Sequence, residues 1–596
     1  MNISISRHAK IATTTLRRHL WRYLAIVIVL QLAVLGVAMP LLASLFDVVL
    51  ATVDAGSLNL DSLGSVLTSP LTVLLLLVFT VASGAFVFAE LALIAVCAHR
   101  HLDGLPVTPR AVAADLARMA RKLLGWSGLL FAAYALFLLP LASIGVTSAM
   151  TRHVAVPAFI SGELTKTTGG TVLWTAITLL LTYAALRLLL TLSVFVDSDE
   201  SLSAAMRASL RATGWLPWRP ALALLAAATG VVVGLAAVSA FAVLVTALGG
   251  VFSDSLVWAG SSLALVDLSR AVLLGLAATW ITLYLVAWRR DLAHEPPPDP
   301  NRLPQRSRRL VAAGVGVLGI VTLASQSLAT TADLRSVRDP ERTVVVAHRG
   351  YTAEAVENTI PALEAAADAG ADVVEMDVLE TQDQQLVVMH DGNLNRLAGR
   401  DIDVSDANAD EIVGLALTVD GHTAPLPSFD DYARRAKELD VRLLVELKPH
   451  GQEAPGFAQR VVDDFAALDV PDDWLVQSLD RDLIEEVGDL RPDLEVGYVV
   501  PFNLGRLPST RADFVVVEEW SYSDRLGREG GDADKPVLIW TINDVGLIRD
   551  YVRRGVDGII TDEVGTAVAD RQISAVVDSP VGLLLDGILR AFGPQR

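Results

Sequence analysis

"VVVAHRGYTAEAVENTIPALEAAADAGADVVEMDVLETQDQQLVVMHDGN", residues 344–393, holds two histidines, His348 and His390, and between them the acids Glu375 and Asp377 of "EMD". Three β-branched runs punctuate it: "VVVAH", "DVVEMDV" and "LVVMHD". An alanine-rich helical stretch separates the first two. Only "LETQDQQ" separates the second and third, too little for the crossover of a dozen or more residues that a parallel return requires. "LVVMHD" therefore returns antiparallel, as a hairpin turning near Asp383. Opposed residues in such a hairpin lie within about 5.5 Å, which sets His390 beside residues 375–377. Glu375 and Asp377, two apart on a strand, face the same way.

Outward from this stretch the pattern repeats. Eight apolar runs alternate with helical stretches: "TVVVAH", "DVVEMDV", "VRLLVELK", "WLVQS", "LEVGYVV", "DFVVVEE", "VLIWTIN" and "VDGIITD". Continuous apolar strands separated by helices predict a parallel sheet with its outer face covered. Eight such units fit a TIM (β/α)8 barrel, assigned here to residues 343–572; an open doubly wound sheet is the alternative. The barrel is preferred because polar residues end strand after strand: His348, Asp377, Lys448, Gln477, Asn543 and Asp562. A barrel gathers all those ends on one face, where TIM-barrel sites are built.

The cluster has a chemistry. Glu375 and Asp377, joined by Glu446 of "VELK", give three hard oxygen donors suited to one divalent cation, Mg²⁺ or Ca²⁺. "HExxH" and paired Cys/His sets are absent from the sequence, which argues against zinc. Arg349 and Lys448 add fixed positive charge that would bind a phosphate. His348 and His390 supply two groups titrating near neutrality, as paired acid and base catalysis requires. The inferred reaction is metal-assisted cleavage of a phosphate ester. Trp540 of "WTIN" fits either the barrel core or the wall of the substrate pocket. Glu357–Asn358 reads as a helix start, with Asn358 or Thr359 as the cap. His422 and His450 read as loop residues.

The other half of the chain is physically different. The 596 residues are 52% hydrophobic, with a mean hydropathy of +0.47. Residues 1–330 carry 15 acids and 23 bases, a balance of +8, and residues 331–596 carry 52 acids and 25 bases, a balance of −27, which together give the net −19. The basic residues of the first half flank apolar runs, and the acidic second half would repel a phosphate backbone, so a nucleic-acid partner is excluded. The single Cys97 excludes an intramolecular disulfide.

Apolar runs of about 20 residues suffice to cross a bilayer as helices. Seven are read at 24–46, 71–98, 123–146, 171–196, 221–248, 268–288 and 310–330, giving an all-α polytopic membrane domain over 23–330. The first is too long for a signal-peptide core and is kept as a span. Residues 1–22 form a basic, amphipathic N-terminus, 331–342 a linker and 573–596 a tail with an amphipathic core that could lie on the membrane or on the barrel. Lys and Arg number 5, 5, 3 and 6 in segments 1–22, 99–122, 197–219 and 289–309, but 0, 2 and 0 in 47–70, 147–170 and 251–267. Nineteen against two places the N-terminus in the cytoplasm. With seven spans in the cell membrane, everything after residue 330 lies outside; with six it would lie in the cytoplasm. Glu90, Arg187 and the Asp267–Arg270 pair fall within or beside spans, as interfacial or helix-pairing charges or as functional ones.

Taken as a set and in order, "HRG" (348–350), "ENT" (357–359), "GADVVEMDV" (370–378), "VVMHD" (387–391), "VELK" (445–448), "WTIN" (540–543) and "GVDGIITD" (555–562) resemble the glycerophosphodiester phosphodiesterase family. The membrane half looks like the domain fused to such barrels in some bacterial members. The resemblance implies a divalent-cation-dependent hydrolase that splits glycerophosphodiesters into glycerol 3-phosphate and an alcohol. It implies His348 and His390 as the acid/base pair, Glu375, Asp377 and Glu446 as metal ligands, and Arg349 and Lys448 as phosphate contacts. In that family a glycerol hydroxyl is thought to attack phosphorus before water completes the reaction. The family's turn usually reads like "TKDG", and here it is "TQDQQ". Residues 392–428 form the family's insertion region and are acidic here.

Three functions of different kinds fit these features. One is the phosphodiesterase just described. A second keeps the chemistry but cleaves a lysophospholipid of the bilayer in the manner of phospholipase D. A third is a non-catalytic membrane sensor or transporter, which loss of any of His348, His390, Glu375 or Asp377 would favour; none is lost.

Overall fold

The computed structural model describes residues 3–53, 56–137, 164–165, 168–249, 255–296, 308–335, 342–576, 581–585 and 588. The chain divides into two compact units: Met1–Phe46 with Leu74–Arg335 and Pro580–Arg596, and Asp47–Val73 with Ser336–Ser579.

The first unit is helical. Among the described residues, six helices are long and apolar enough to cross a membrane: Leu20–Ala51, Pro70–Leu102, Thr168–Asp197, Trp218–Gly249, Ser255–Leu292 and Arg309–Ala332. Of the expected span at 123–146, residues 126–137 form the helix Trp126–Phe137 after a turn at 123–125; residues 138–146 lie outside the described residues. The connection read at 251–267 is helical from Ser255 onward. "SLVWAGSSLALVD" holds no proline and one glycine, so nothing stops the helix that follows from starting early. That glycine, Gly260, lets Ser255–Leu292 meet Arg308–Arg335 closely, since a Cβ there would come within 2.9 Å of the Thr331 Cα. Arg187 is a helix-pairing charge: its guanidinium donates to the Thr213 hydroxyl and the Leu210 carbonyl. The N-terminal helix Ile3–Arg18 buries Ala12, and its Thr13 hydroxyl accepts a hydrogen bond from the Trp280 indole. In the tail, Leu584 and Ile588 are buried with Leu235, Ala242 and Val266, on the helical unit.

The second unit contains the barrel. Its strands are β1 (Ser57–Leu58), β2 (Val344–Ala347), β3 (Val373–Glu380), β4 (Leu386–Val388), β5 (Ala416–Val419), β6 (His422–Pro425), β7 (Arg442–Leu447), β8 (Leu475–Ser478), β9 (Glu495–Val500), β10 (Leu504–Gly505), β11 (Phe514–Glu518), β12 (Val537–Trp540) and β13 (Gly558–Thr561). The order β2-β13-β12-β11-β9-β8-β7-β3, closed by β2 on β3, makes eight parallel strands in a ring. β4 adds to β3 antiparallel, pairing Val378 with Val388, as the short "LETQDQQ" link requires.

The two-residue period of the strands sorts every side chain to one of two cores. Val346, Val373, Leu444, Val499, Phe514, Val516, Leu538 and Ile560 fill the interior. Their neighbours, such as Val345, Val374, Val445, Val515 and Ile559, pack outward against the helices. The helix Phe429–Glu438 shows the matching face: it buries Phe429, Tyr432, Ala433 and Ala436, and the Ser428 hydroxyl caps it by accepting from the Asp431 N–H. Phe514 fits the interior because Gly497 stands opposite it on β9; a Cβ there would overlap the ring. Continued along the strands, the inward set beyond this plug is His348, Glu375, Asp377, Glu446, Lys448, Gln477, Glu518, Trp540 and Asp562. Residues 392–428 form a small lobe whose apolar residues, Leu394, Leu397, Val404, Ile412 and Leu417, pack against Met389 and Leu379.

Candidate active site

Three carboxylates converge at the strand ends. Oxygens of Glu375, Asp377 and Glu446 lie within 4.8 Å of one another. The register sets them there: β3 and β7 pair Asp377 with Glu446, and Glu375 is one inward position earlier. Much of each carboxylate is already held. The Arg349 backbone N–H donates to Glu375 Oε2 at 2.7 Å, and Asn358 Nδ2 donates to Asp377 Oδ2 at 2.7 Å. Gln477 Nε2 donates to Glu446 Oε2 at 2.7 Å, and Lys448 Nζ stands 3.2 Å from Asp377 Oδ1. Glu375 and Asp377 are each 2% exposed, so their mutual repulsion is barely screened.

The charges respond accordingly. Burial, reinforced by the charges of Asp377 and Glu446, pushes the Glu375 carboxyl well above its usual range. Burial also raises Glu446, against the pull of Lys448. Burial acts the same way on Asp377, but the charges of Lys448, Arg349 and His390 and the Asn358 hydrogen bond outweigh it and hold Asp377 well below the usual range. A buried acid pushed towards neutrality beside one held ionised is the signature of a site short of positive charge. Hard carboxylate oxygens at this spacing fit a divalent cation, and no histidine or cysteine belongs to the group.

Each histidine is aimed by its own acid. His348 Nδ1 lies 2.8 Å from Asp562 Oδ1, and Asn543 Nδ2 donates to the other oxygen at 2.5 Å. Burial raises Asp562, but the charge and hydrogen bond of His348 and the hydrogen bond of Asn543 bring it down to about 2. His390 Nδ1 lies 2.7 Å from Asp391 Oδ1, while Arg396 Nε donates to Asp391 Oδ2 at 2.6 Å. An ionised carboxylate only accepts, so each Nδ1 carries the hydrogen and each Nε2 is left for a substrate. Burial lowers His390, against the pull of Asp377 and Asp391.

The eight residues singled out in the sequence thus divide. His348, His390, Glu375, Asp377, Glu446 and Lys448 stand at one mouth. Arg349 is 6% exposed and turned into the protein, donating to Glu357 at 3.0 Å and standing 3.3 Å from Asp377. Trp540 is half-buried against the interior plug, opposite Glu518 in register.

Several participants escaped the sequence reading. Asn358 is no cap: at φ +59° its side chain brackets Asp377, accepting from the Asp377 N–H at 3.0 Å as well as donating. Thr359 takes the N-cap position of Ile360–Asp368, without a side-chain hydrogen bond to it. Glu357 accepts from both Arg349 and Arg396, and these cations outweigh burial to hold it at about 2. Asp391 and Arg396 complete the ring. The acid after His390 was a visible signal; Arg396, from the insertion, had none without the fold.

Each of the two parts matches a known family model. Residues 10–323 match the model of the membrane domain of glycerophosphoryl diester phosphodiesterase, and residues 348–566 match the glycerophosphoryl diester phosphodiesterase family. The chain belongs to the glycerophosphodiester phosphodiesterase family. A glycerophosphodiester phosphodiesterase of Caldanaerobacter subterraneus subsp. tengcongensis is 25% identical over 247 residues, 38% of this chain and 97% of that protein. Rat lysophospholipase D GDPD1 is 44% identical over 61 residues, 10% of this chain and 19% of that one. The crystal structure of a glycerophosphodiester phosphodiesterase from Parabacteroides distasonis is 27% identical, covers 39% of this chain and 97% of its own, and superposes with a TM-score of 0.33. This member of the glycerophosphodiester phosphodiesterase family is therefore a phosphoric diester hydrolase with a membrane domain and a TIM barrel, and its family generally uses a divalent metal.

Proposed function

We propose that the protein is a membrane-anchored, metal-dependent phosphodiesterase that splits glycerophosphodiesters into glycerol 3-phosphate and an alcohol. The observation that carries this reading is the pair of carboxylate-held histidines, His348 with Asp562 and His390 with Asp391, flanking one three-acid group. A cation held by Glu375, Asp377 and Glu446 would neutralise the phosphate and polarise its oxygens. Lys448 holds a phosphate oxygen by charge, and Arg349 fixes Glu375 and Asp377 from below.

The two histidines divide the proton work. One Nε2 takes the proton of the attacking glycerol hydroxyl as its oxygen bonds to phosphorus, and the phosphorus–oxygen bond to the alcohol breaks. The other gives its proton to the departing oxygen. Water then opens the cyclic phosphate to glycerol 3-phosphate. Asp562 and Asp391 stabilise whichever imidazole is charged. Mg²⁺ and Ca²⁺ both suit three oxygen ligands. The charge bias of the connections supports a cytoplasmic N-terminus and an extracytoplasmic barrel in the cell membrane.

A second reading, cleavage of lysophospholipids, is favoured by the local likeness to rat lysophospholipase D and by the stacked pair Phe502–Trp520, with ring centroids 5.7 Å apart, on the loops after β9 and β11. Full-length protein in detergent is tested on glycerophosphocholine and lysophosphatidylcholine side by side. Release of glycerol 3-phosphate, lost with EDTA and in His348→Ala, supports the first reading; undiminished release under both treatments sinks it. Faster turnover of the lysolipid selects the second.

A further inference from the structure

The connection between the first two membrane helices belongs, by its contacts, to the barrel unit. β1 pairs antiparallel with β10, Ser57 opposite Gly505 and Leu58 opposite Leu504. The Arg506 N–H extends the ladder to the Gly56 carbonyl at 3.1 Å. Gly505 permits the approach: its φ is +126°, and a Cβ there would meet the Gly56 carbonyl oxygen at 2.8 Å. Beyond the ladder, the Tyr498 hydroxyl on β9 donates to Asp61 Oδ2 at 2.9 Å, and Arg481 stands 3.3 Å from the same oxygen. The connection is itself ordered, with Asn59 and Ser62 forming a reciprocal cap on the helix Leu60–Thr68 and both Ser57 and Asn59 buried. β10 lies in the loop that follows β9, and therefore at the catalytic end of the barrel. The same loop carries Phe502, stacked on Trp520, and Asn503, whose N–H donates to Ser521 at 2.9 Å.

We infer that residues 47–73 are an integral part of the catalytic unit, a strap of the membrane domain clamped by Asp61 onto the outer wall of the mouth, and that this strap fixes the side of the membrane on which the barrel stands. Two strands cannot pair through a bilayer, because the backbone groups of the ladder must meet on one side. The barrel therefore shares the side of residues 47–73, one crossing away from the N-terminus. The number of crossings between the strap and the barrel must then be even. Five long apolar helices follow the strap among the described residues: Pro70–Leu102, Thr168–Asp197, Trp218–Gly249, Ser255–Leu292 and Arg309–Ala332. Parity requires a sixth crossing, and the shorter apolar helix Trp126–Phe137 lies between the strap and the barrel in the chain. This parity is independent of the Lys and Arg count and agrees with it.

The test uses the full chain in native membranes, in a Cys97→Ser background, with a specific protease site placed within 297–307. Leu58→Cys and Leu504→Cys together should form a disulfide, so that after protease cleavage the two fragments stay joined until reductant is added. His422→Cys, on the exposed insertion hairpin, paired with Leu58→Cys should leave the fragments separate. Asp61→Arg should reduce the joined fraction severalfold, and adding Arg481→Asp should restore it. Fragments that separate without reductant in the 58/504 pair overturn the clamp. Labelling of the single cysteines by an impermeant maleimide from opposite sides of sealed vesicles overturns the parity. Neither readout involves hydrolysis, so failure of the proposed activity leaves both intact.

Discussion

His348 Nδ1 and Asp562 Oδ1 stand 2.8 Å apart across the seam where β13 closes the barrel onto β2. They are 214 residues apart in the chain, yet the parallel pairing of Thr561 with Ala347 makes them inward neighbours. Asp562 holds the Nδ1 hydrogen and aims Nε2 into the mouth. Asp562→Asn can still accept through its amide oxygen but no longer stabilises an imidazolium. Turnover should fall on the order of 10²-fold in Asp562→Asn and by about 10²–10⁴-fold in His348→Ala. KM should change far less than kcat in both, measured on glycerophosphocholine; a pure KM effect would assign the pair to binding.

Cation binding should strengthen with pH. Glu375 and Glu446 sit above their usual carboxylate range, chiefly through burial, and a cation needs them ionised. Cation and proton therefore compete through and above the ordinary carboxylate range, so the dissociation constant keeps falling as pH rises beyond it. Stability carries the opposite sign without cation. A carboxyl whose folded pKa is raised contributes stability below its unfolded value and loses it as pH rises through the folded one. The cation-free barrel therefore weakens as Glu375 ionises, and saturating cation reverses this. At 100 times its dissociation constant, a cation adds about 2.7 kcal/mol. In a barrel of this size that raises Tm by about 5–10 °C. Calorimetry with EDTA and with Mg²⁺ or Ca²⁺ at several pH values should show the increment growing with pH; an increment independent of pH would contradict the three-acid assignment.

Much of this was legible in the residues, and the limits have physical causes. The hairpin that carries His390 follows from a link too short for anything else, and Val378 does pair with Val388. The strand-end acids follow from period-two alternation within a closed ring. Asn358 was misread because a polar residue before "TIP" has the composition of a helix cap; its left-handed φ and its grip on Asp377 are tertiary facts. Arg396 was invisible because its partners, Glu357 and Asp391, come from separate loops. In the membrane half, hydropathy located the apolar runs but not the helix ends: the helix through 268–288 is 38 residues long because no proline or glycine cluster stops it. Arg349 was read as open to phosphate, yet its guanidinium is buried among acids.

Gly350 is a packing requirement of the "HRG" stretch. Its φ is +82°, and a Cβ would meet the backbone carbonyl oxygen of Ala362 at 2.8 Å. Gly350→Ala should cost about 1–3 kcal/mol in backbone strain alone. Because the Arg349 N–H that fixes Glu375 is in the preceding residue, cation affinity should fall with stability. Thermal unfolding and cation titration measure the two; loss of stability with unchanged cation affinity would separate the turn from the site.

Arg396 is the cation that ties the insertion to the catalytic face. It donates to Glu357 Oε1 and Oε2 at 2.7 and 2.8 Å and to Asp391 Oδ2 at 2.6 Å. Its side chain is 20% exposed and that of Glu357 is 13% exposed, so removing it leaves Glu357 to Arg349 alone and Asp391 to His390 alone, at a cost of about 1–3 kcal/mol. Without Arg396, Asp391 is free to turn away from His390, whereas the Asp562–His348 pair across the mouth keeps its own partner, Asn543. Arg396→Ala should therefore slow the step that depends on His390 while leaving the His348–Asp562 pair in place. One limb of the pH–kcat profile should move and the other should not. Arg396→Lys keeps the charge but not the three-point fork, and it should recover most of the lost stability and little of the turnover. Both limbs moving together in Arg396→Ala would show that the insertion supports the barrel as a whole rather than His390 in particular.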